Sequence, residues 1–149
     1  MSKTKVNFTF DNVTLPEIIS KVLLKKTLKT LIDYVLFSEK CKIDIINLYF
    51  CDDKVISQYN KKYLKHNYET DIITFKYNED NIVESDILVS VESVYRNSFV
   101  FKSIFLSELL RVIIHGLLHL NGLDDKTKQQ KIYMRKKENF YLKSIGINN

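Results

Sequence analysis

The chain has 149 residues, a size that buries about 68–70% of the unfolded surface and needs no disulfide staples. It is 45% hydrophobic with three glycines and one proline, which excludes a disordered, collagen-like or disulfide-scaffold protein. The net charge of +5 tilts weakly towards a polyanionic partner such as RNA or DNA, and every apolar run is too short or too interrupted by charge to span a bilayer.

The first residues form no apolar h-region, so no signal peptide is expected and the cytoplasm is the expected location. Cys41 and Cys51 lack C-x-x-C spacing and are expected to be reduced, buried thiols.

Residues 5–10 alternate Val6, Phe8 and Phe10 with Lys5, Asn7 and Thr9, which predicts a half-buried strand. Thr14 to Glu17 reads as a capping box with Pro16 near the first turn. It predicts a helix to about Phe37, with Ile18, Val22, Leu28, Ile32 and Val35 as its apolar stripe. Residues 42–50 are β-branched and aromatic and predict a second strand. Asp52 or Asp53 caps a following helix through about Leu64. Residues 72–75 and 86–91 predict two further strands, joined by a polar loop or hairpin from Asn78 to Glu84. A short helix is expected after Ser93.

Residues 104–120 form the most apolar segment. Leu106, Leu109, Leu110, Val112, Ile113, Ile114, Leu117 and Leu118 cover nearly the whole circumference, and a helix apolar all round is buried. Thr127 to Gln130 is a second capping box and predicts a last helix to about Ser144. Residues 126–143 carry seven basic side chains against one acid, Glu138. The expected architecture is α+β: one domain over residues 1–149, a small mixed four-stranded sheet packed with four to five helices, and helix 104–120 at its centre.

That central helix carries two of the three histidines. His115 and His119 are four apart and share one face, with Cβ atoms about 5–6 Å apart. Two imidazoles at that spacing can reach one ion at about 2.0–2.1 Å. Burying both unpaired on an apolar helix would be costly. Gly122 predicts the end of the helix, and the returning chain offers Asp124 or Asp125. Two histidines and one carboxylate suit Zn²⁺, Fe, Ni or Mn and leave a position open for water.

Ligands at +4 and +10 from His115, with glycine at +7, resemble the metzincin proteases in outline. Those carry glutamate directly after the first histidine as general base, where this chain has Gly116. The peptidase mechanism therefore lacks its proton carrier.

The run from His115 to Asp125, HGLLHLNGLDD, more closely resembles the H-G-x-L-H-L-x-G-Y-D-H signature of the YbeY family. Asn60 to Tyr63 and Thr70 to Phe75 are similar to its N-x-x-Y-R and T-D-V-L-S-F blocks. Asp86 to Ser90 resembles its G-D-I-x-I-S strand. Met134 and Glu138 stand at its closing M-x-x-x-E. The resemblance covers roughly residues 45–142. It implies a metal-dependent, single-strand-specific endoribonuclease of the bacterial cytosol. The implied duty is to mature the 3′ end of 16S rRNA, in contact with the small ribosomal subunit, and to serve ribosome quality control.

The resemblance also assigns residues. His115, His119 and Asp125 become the ligands of one Zn²⁺, with Asp125 in place of the usual third histidine. Asp124 becomes a supporting or exposed residue. The arginine that follows the tyrosine in the family is Leu64 here, so Lys65 or His66 is expected to contact phosphate or relay a proton. Asp71 and Glu108 occupy acidic positions of the family and are expected to be structural. The basic last helix is expected to face RNA backbone, and Tyr59, Tyr63, Tyr68 and Tyr95 are available to stack on unpaired bases. The rival expectations are a non-catalytic ribosome-assembly factor with a bound metal and, lower, a metzincin-like metalloprotease.

Overall fold

The computed structural model describes residues 3–16, 19–65 and 69–147. Four strands form one sheet in the order β1 (Lys5–Phe10), β2 (Ile45–Cys51), β4 (Ile82–Ser90) and β3 (Ile72–Glu79). The first three strands run parallel, and β3 runs antiparallel to β4. Five helices accompany them: α1 (Lys21–Ser38), α2 (Asp53–Tyr63), α3 (Val91–Val100), α4 (Phe105–Leu120) and α5 (Lys128–Ser144). The fold is therefore α+β with a mixed sheet, as the patterning predicts. The parallel pair β1 and β2 requires a crossover, and α1 supplies it.

The helix α4 packs against α1, α3, α5 and β3. Leu109, Leu110, Ile113, Ile114 and Leu117 meet Leu28, Leu31 and Ile32 of α1, above Ile46, Leu48, Phe50, Ile87 and Val89 of the sheet. Each such side chain stabilises the fold by about 1.5–3 kcal/mol on burial. On the other face, Ile56 of α2 packs with Cys51, Ile73 and Leu88 of the sheet. Beyond them that face is a polar ladder. Asn7 Nδ2 donates to Asn47 Oδ1 at 2.9 Å, and Asn47 Nδ2 donates to Glu84 at 2.7 Å and to Asp86 at 2.8 Å.

Several expectations shift. The helix expected from Thr14 begins only at Lys21, with Ser20 as its cap. Ile19 N–H donates to the Pro16 carbonyl at 3.0 Å. Glu17 and Ile18 lie outside the described residues. Val22 is 79% exposed. The core stripe is Leu24, Leu28, Leu31, Ile32, Val35 and Leu36, and Val22 stands two residues from it, about 200° round the helix at about 100° per residue.

Of the two alternatives for the stretch from Asn78 to Glu84, the hairpin forms rather than the loop. Strands β3 and β4 run through it in register, Glu79 opposite Ile82. Asp80 and Asn81 alone turn the chain, at φ +52° and +64°. Two successive left-handed residues make the tight turn whose twist matches a hairpin. The helix α3 starts at Val91, directly off β4, with Ser90 as its cap.

Asp52 is the residue that caps α2, accepting from Val55 N–H at 2.9 Å. Asp53 instead joins α2 to α3, accepting from the Ser90 and Ser93 hydroxyls at 2.6 Å each and from Arg96 at 2.7 Å. Burial alone would raise its pKa, but Arg96 and the two hydroxyls outweigh it and hold the carboxyl below its usual range. Both cysteines are free, Cys51 buried and Cys41 partly so. Burial, with the charges of Asp52, Asp11 and Asp53, pushes the Cys51 thiol up to about 12, which keeps it inert. No single described helix is long and apolar enough to cross a membrane.

Candidate metal centre

The last turn of α4 and the bend after it assemble the site. Gly122 has φ +91°, the left-handed conformation that favours glycine. Its N–H donates to the His119 carbonyl at 2.9 Å, and Leu123 N–H reaches back to the Leu118 carbonyl at 3.0 Å. That pair of bonds is a Schellman cap. The cap reverses the chain and carries Asp125 over the histidines.

His115 Nε2 lies 2.9 Å from His119 Nε2. Asp125 Oδ2 is 3.3 Å from the first and 3.5 Å from the second. Tetrahedral ligands about 2.0–2.1 Å from one zinc ion stand about 3.3 Å apart, so the three donors have the spacing of a ligand set. All three residues are only partly buried, with side chains 26%, 29% and 37% exposed, which leaves solvent a way in.

The groups behind the rings fix which nitrogen faces the centre. His115 Nδ1 lies 2.8 Å from Glu138 Oε2, and His119 Nδ1 lies 2.8 Å from the Leu123 carbonyl. Both partners accept hydrogen bonds, so each neutral ring carries its proton on Nδ1 and presents a lone pair at Nε2. Two lone pairs and a carboxylate oxygen then face one another at 2.9 to 3.5 Å. A cation between them removes that repulsion, and the donor chemistry suits Zn²⁺ among other divalent metals.

Charge reinforces the arrangement. Burial disfavours a charged His115, but the bond to Glu138 and the charges of Glu138, Asp125 and Asp71 outweigh it and raise the ring's pKa. The field that attracts a proton attracts a metal cation too. Burial would likewise neutralise Glu138, yet His115 and Arg111 lower its pKa below the usual carboxylate range. Arg111 holds Glu138 at 3.0 Å and Asn139 at 2.7 Å.

A cleft of about 390 Å³ opens beside the triad. Its floor is α4, with Glu108, Arg111, Val112 and His115. One wall carries Asp71, Asn97 and Phe101, and the other carries Lys131, Met134, Arg135 and Glu138 from α5. Burial raises the pKa of both Asp71 and Glu108, against partial offsets from His115 for the first and Arg111 for the second.

The chain thus brings His115, His119 and Asp125 together. Asp124 points elsewhere, exposed and 3.9 Å from Lys126 Nζ. Lys65 is exposed beyond the end of α2 at φ +55° and is not among the residues lining the cleft. His66 and Tyr68 lie outside the described residues. Leu64 is the cap of α2, so no guanidinium stands there. Tyr59 and Tyr63 stack on each other at 5.4 Å, and Tyr95 meets Phe99 edge-on at 5.0 Å. The basic residues of α5 do not share one face: Lys131 and Arg135 line the cleft, while Lys137 turns away to Glu39 at 2.6 Å.

Gly116 bears on the protease reading. A Cβ there would stand 2.6 Å from Ile72 Cδ1 and 3.2 Å from Thr74 Cγ2. That position faces β3 rather than the triad, so no side chain there could serve as base. The supporting roles of Glu138 and the Leu123 carbonyl were missed in the sequence. The M-x-x-x-E pattern marks Glu138 without naming its partner, and a backbone carbonyl leaves no trace in residue type.

A family model described as Endoribonuclease YbeY matches residues 9–146. Two similar proteins carry the same description. One, from Karelsulcia muelleri, is 45% identical over 109 residues, 73% of this chain and 77% of the relative. The other, from Chloroherpeton thalassium, is 36% identical over 134 residues, 90% and 95% of the two chains. The solution structure of a Thermotoga maritima protein is similar with a TM-score of 0.59, over 94% of this chain and 91% of that one, at 22% identity. That last likeness bears on the fold alone.

Proposed function

The chain belongs to the YbeY family, and we propose that it is a metal-dependent endoribonuclease that cuts single-stranded RNA at the His115, His119 and Asp125 centre. The observation that carries the reading is the convergence of those three donors within 3.5 Å of one another beside an open cleft. Zn²⁺ is the cofactor assigned to it. Bound there, the metal would lower the pKa of water from 15.7 towards about 7 and polarise a phosphoryl oxygen.

The chain's own residues do the rest. Glu138 and the Leu123 carbonyl hold both imidazoles with Nε2 inward. Arg111 is committed to Glu138 and Asn139, so Lys131, with the half-exposed Arg135 that lies 3.6 Å from Glu138 Oε1, is assigned to neutralise phosphate. Lys65 and His66 are assigned outer phosphate contact or proton relay, on the family resemblance. The same resemblance supports a duty in 16S rRNA 3′-end maturation and ribosome quality control on the small subunit, in the cytoplasm.

Incubation of a fluorescently labelled single-stranded RNA with the zinc-loaded protein tests the reading. The RNA is expected to be nicked, and chelation or His115→Ala to abolish the nicking. A His115→Ala protein with undiminished nuclease activity overturns this site. RNA that is bound but never cut, with or without metal, favours the non-catalytic assembly factor instead.

A further inference from the structure

We infer that the cleft beside the triad holds one unpaired nucleobase and that the Glu108 carboxylate selects guanine there. The inference takes its substrate class from the nuclease reading above and adds the base that the site prefers.

Glu108 is only 5% exposed, and its side chain lines the cleft. Among the described residues its carboxylate has no hydrogen-bond or ion-pair partner, while its backbone N–H donates to the Ile104 carbonyl at 3.1 Å. Its polar neighbours are already engaged. Arg111 is held by Glu138 and Asn139, Glu138 by Arg111, His115 and, at 3.6 Å, Arg135, and Asn97 by Asp71 at 3.3 Å. Its oxygens reach solvent only through the cleft, so the carboxylate is partly desolvated without protein donors, and a ligand that brings donors relieves the cost.

The position suits a base. Glu108 stands seven residues before His115, about 10.5 Å along the helix at about 1.5 Å per residue. A nucleotide whose phosphate lies at the triad extends its base along that direction. Phe101, 58% exposed, lines the same cleft and offers a ring for stacking, a sequence-tolerant contact. Lys131 and Arg135 supply positive charge from α5.

Hydrogen-bond chemistry selects the base. A carboxylate offers two acceptor oxygens side by side. Guanine presents two adjacent donors, N1–H and the 2-amino group. Adenine and cytosine present an amino group beside a ring acceptor, and uracil presents one N–H between two carbonyls. Only guanine meets both carboxylate oxygens without facing a lone pair.

The test measures binding of short 2′-O-methyl oligouridylates carrying one guanosine or one inosine, which lacks the 2-amino group. The full chain is titrated by fluorescence anisotropy. Wild type is expected to favour guanosine about tenfold, the loss of one charge-assisted bond. Glu108→Gln is expected to bring the two within about twofold. Phe101→Ala, at an exposed position, is expected to weaken both oligonucleotides equally and to keep the ratio. Should Glu108→Gln fail to fold by circular dichroism, the wild-type and Phe101→Ala ratios still decide.

Equal wild-type binding of guanosine and inosine overturns the inference, as does a folded Glu108→Gln protein that keeps the preference. Cleavage of ordinary single-stranded RNA is scored in parallel. Absence of cleavage alongside an intact guanosine preference overturns the nuclease reading and leaves the base subsite standing.

Discussion

Each histidine of the triad is oriented by a group on its far side, and one of those groups is charged. Glu138 receives His115 while Arg111 holds its other oxygen. Outer partners of this kind set ring orientation and ligand basicity, and their loss typically weakens metal affinity about 10–100-fold. Glu138→Gln is expected to show that loss in competition with a chromophoric zinc chelator. It is also expected to lower thermal stability, because Arg111 is left buried beside a neutral amide. Unchanged zinc affinity in the folded variant would show that Glu138 serves packing alone. The triad itself was legible in the sequence because ligand types at helical spacing are a local signal. Glu108 was legible only as an acidic position, since its lack of partners depends on where Asn139, Asn97 and Glu138 stand in space.

At the scale of elements, two glycines set how α4 meets its surroundings. Gly116 lets the helix lie against β3, where a Cβ would meet Ile72 at 2.6 Å. Gly116→Ala meets the far end of the Ile72 side chain, which can turn aside. Alanine gains about 1 kcal/mol over glycine inside a helix, so stability read from the denaturation midpoint is expected to shift by less than about 1 kcal/mol. Gly122→Ala meets open space, so any cost there comes from its φ of +91°. That variant is expected to lose about 1 kcal/mol and to bind zinc more weakly, because the Leu123 carbonyl and Asp125 follow directly. Stability loss without a change in zinc binding would separate the cap from the site. The helices α4 and α5 were legible from a continuous apolar surface and a capping box that forms as written. The start of α1 was not, because Thr14 to Glu17 matches a cap pattern while Ser20 is the cap that forms. The extent of β3 was hidden because its exposed far end lies on the antiparallel edge, where polar residues are tolerated, and β4 extends as its hairpin partner.

At the scale of the molecule, Glu39 ties the end of α1 to α5 and to the end of α4. It accepts from Lys137 at 2.6 Å, from the Tyr141 hydroxyl and, at 3.5 Å, from Asn121. Burial would raise its pKa, but Lys137 and Tyr141 outweigh it and lower the carboxyl below its ordinary value. A pKa lowered in the folded state stabilises at pH above the unfolded value, about 4.3, and the benefit is lost as pH falls through the folded value. Glu39→Gln is expected to lower Tm at pH 7, with the gap to wild type narrowing below about pH 4. A gap that stays constant from pH 7 to pH 3 would show that the charge of Glu39 contributes nothing. These long-range ties join residues 98 positions apart in the case of Lys137, which no local pattern reveals.

The central claim is that one cation is shared by His115, His119 and Asp125. Elemental analysis of the purified protein beside its Asp125→Ala variant tests it most directly. The account predicts about one zinc-type ion per chain in the wild type, as a site with three protein ligands holds one ion, and loss of that ion in the variant. A folded Asp125→Ala protein that keeps the full complement of metal, or a wild type that takes up none from a zinc solution, would contradict it.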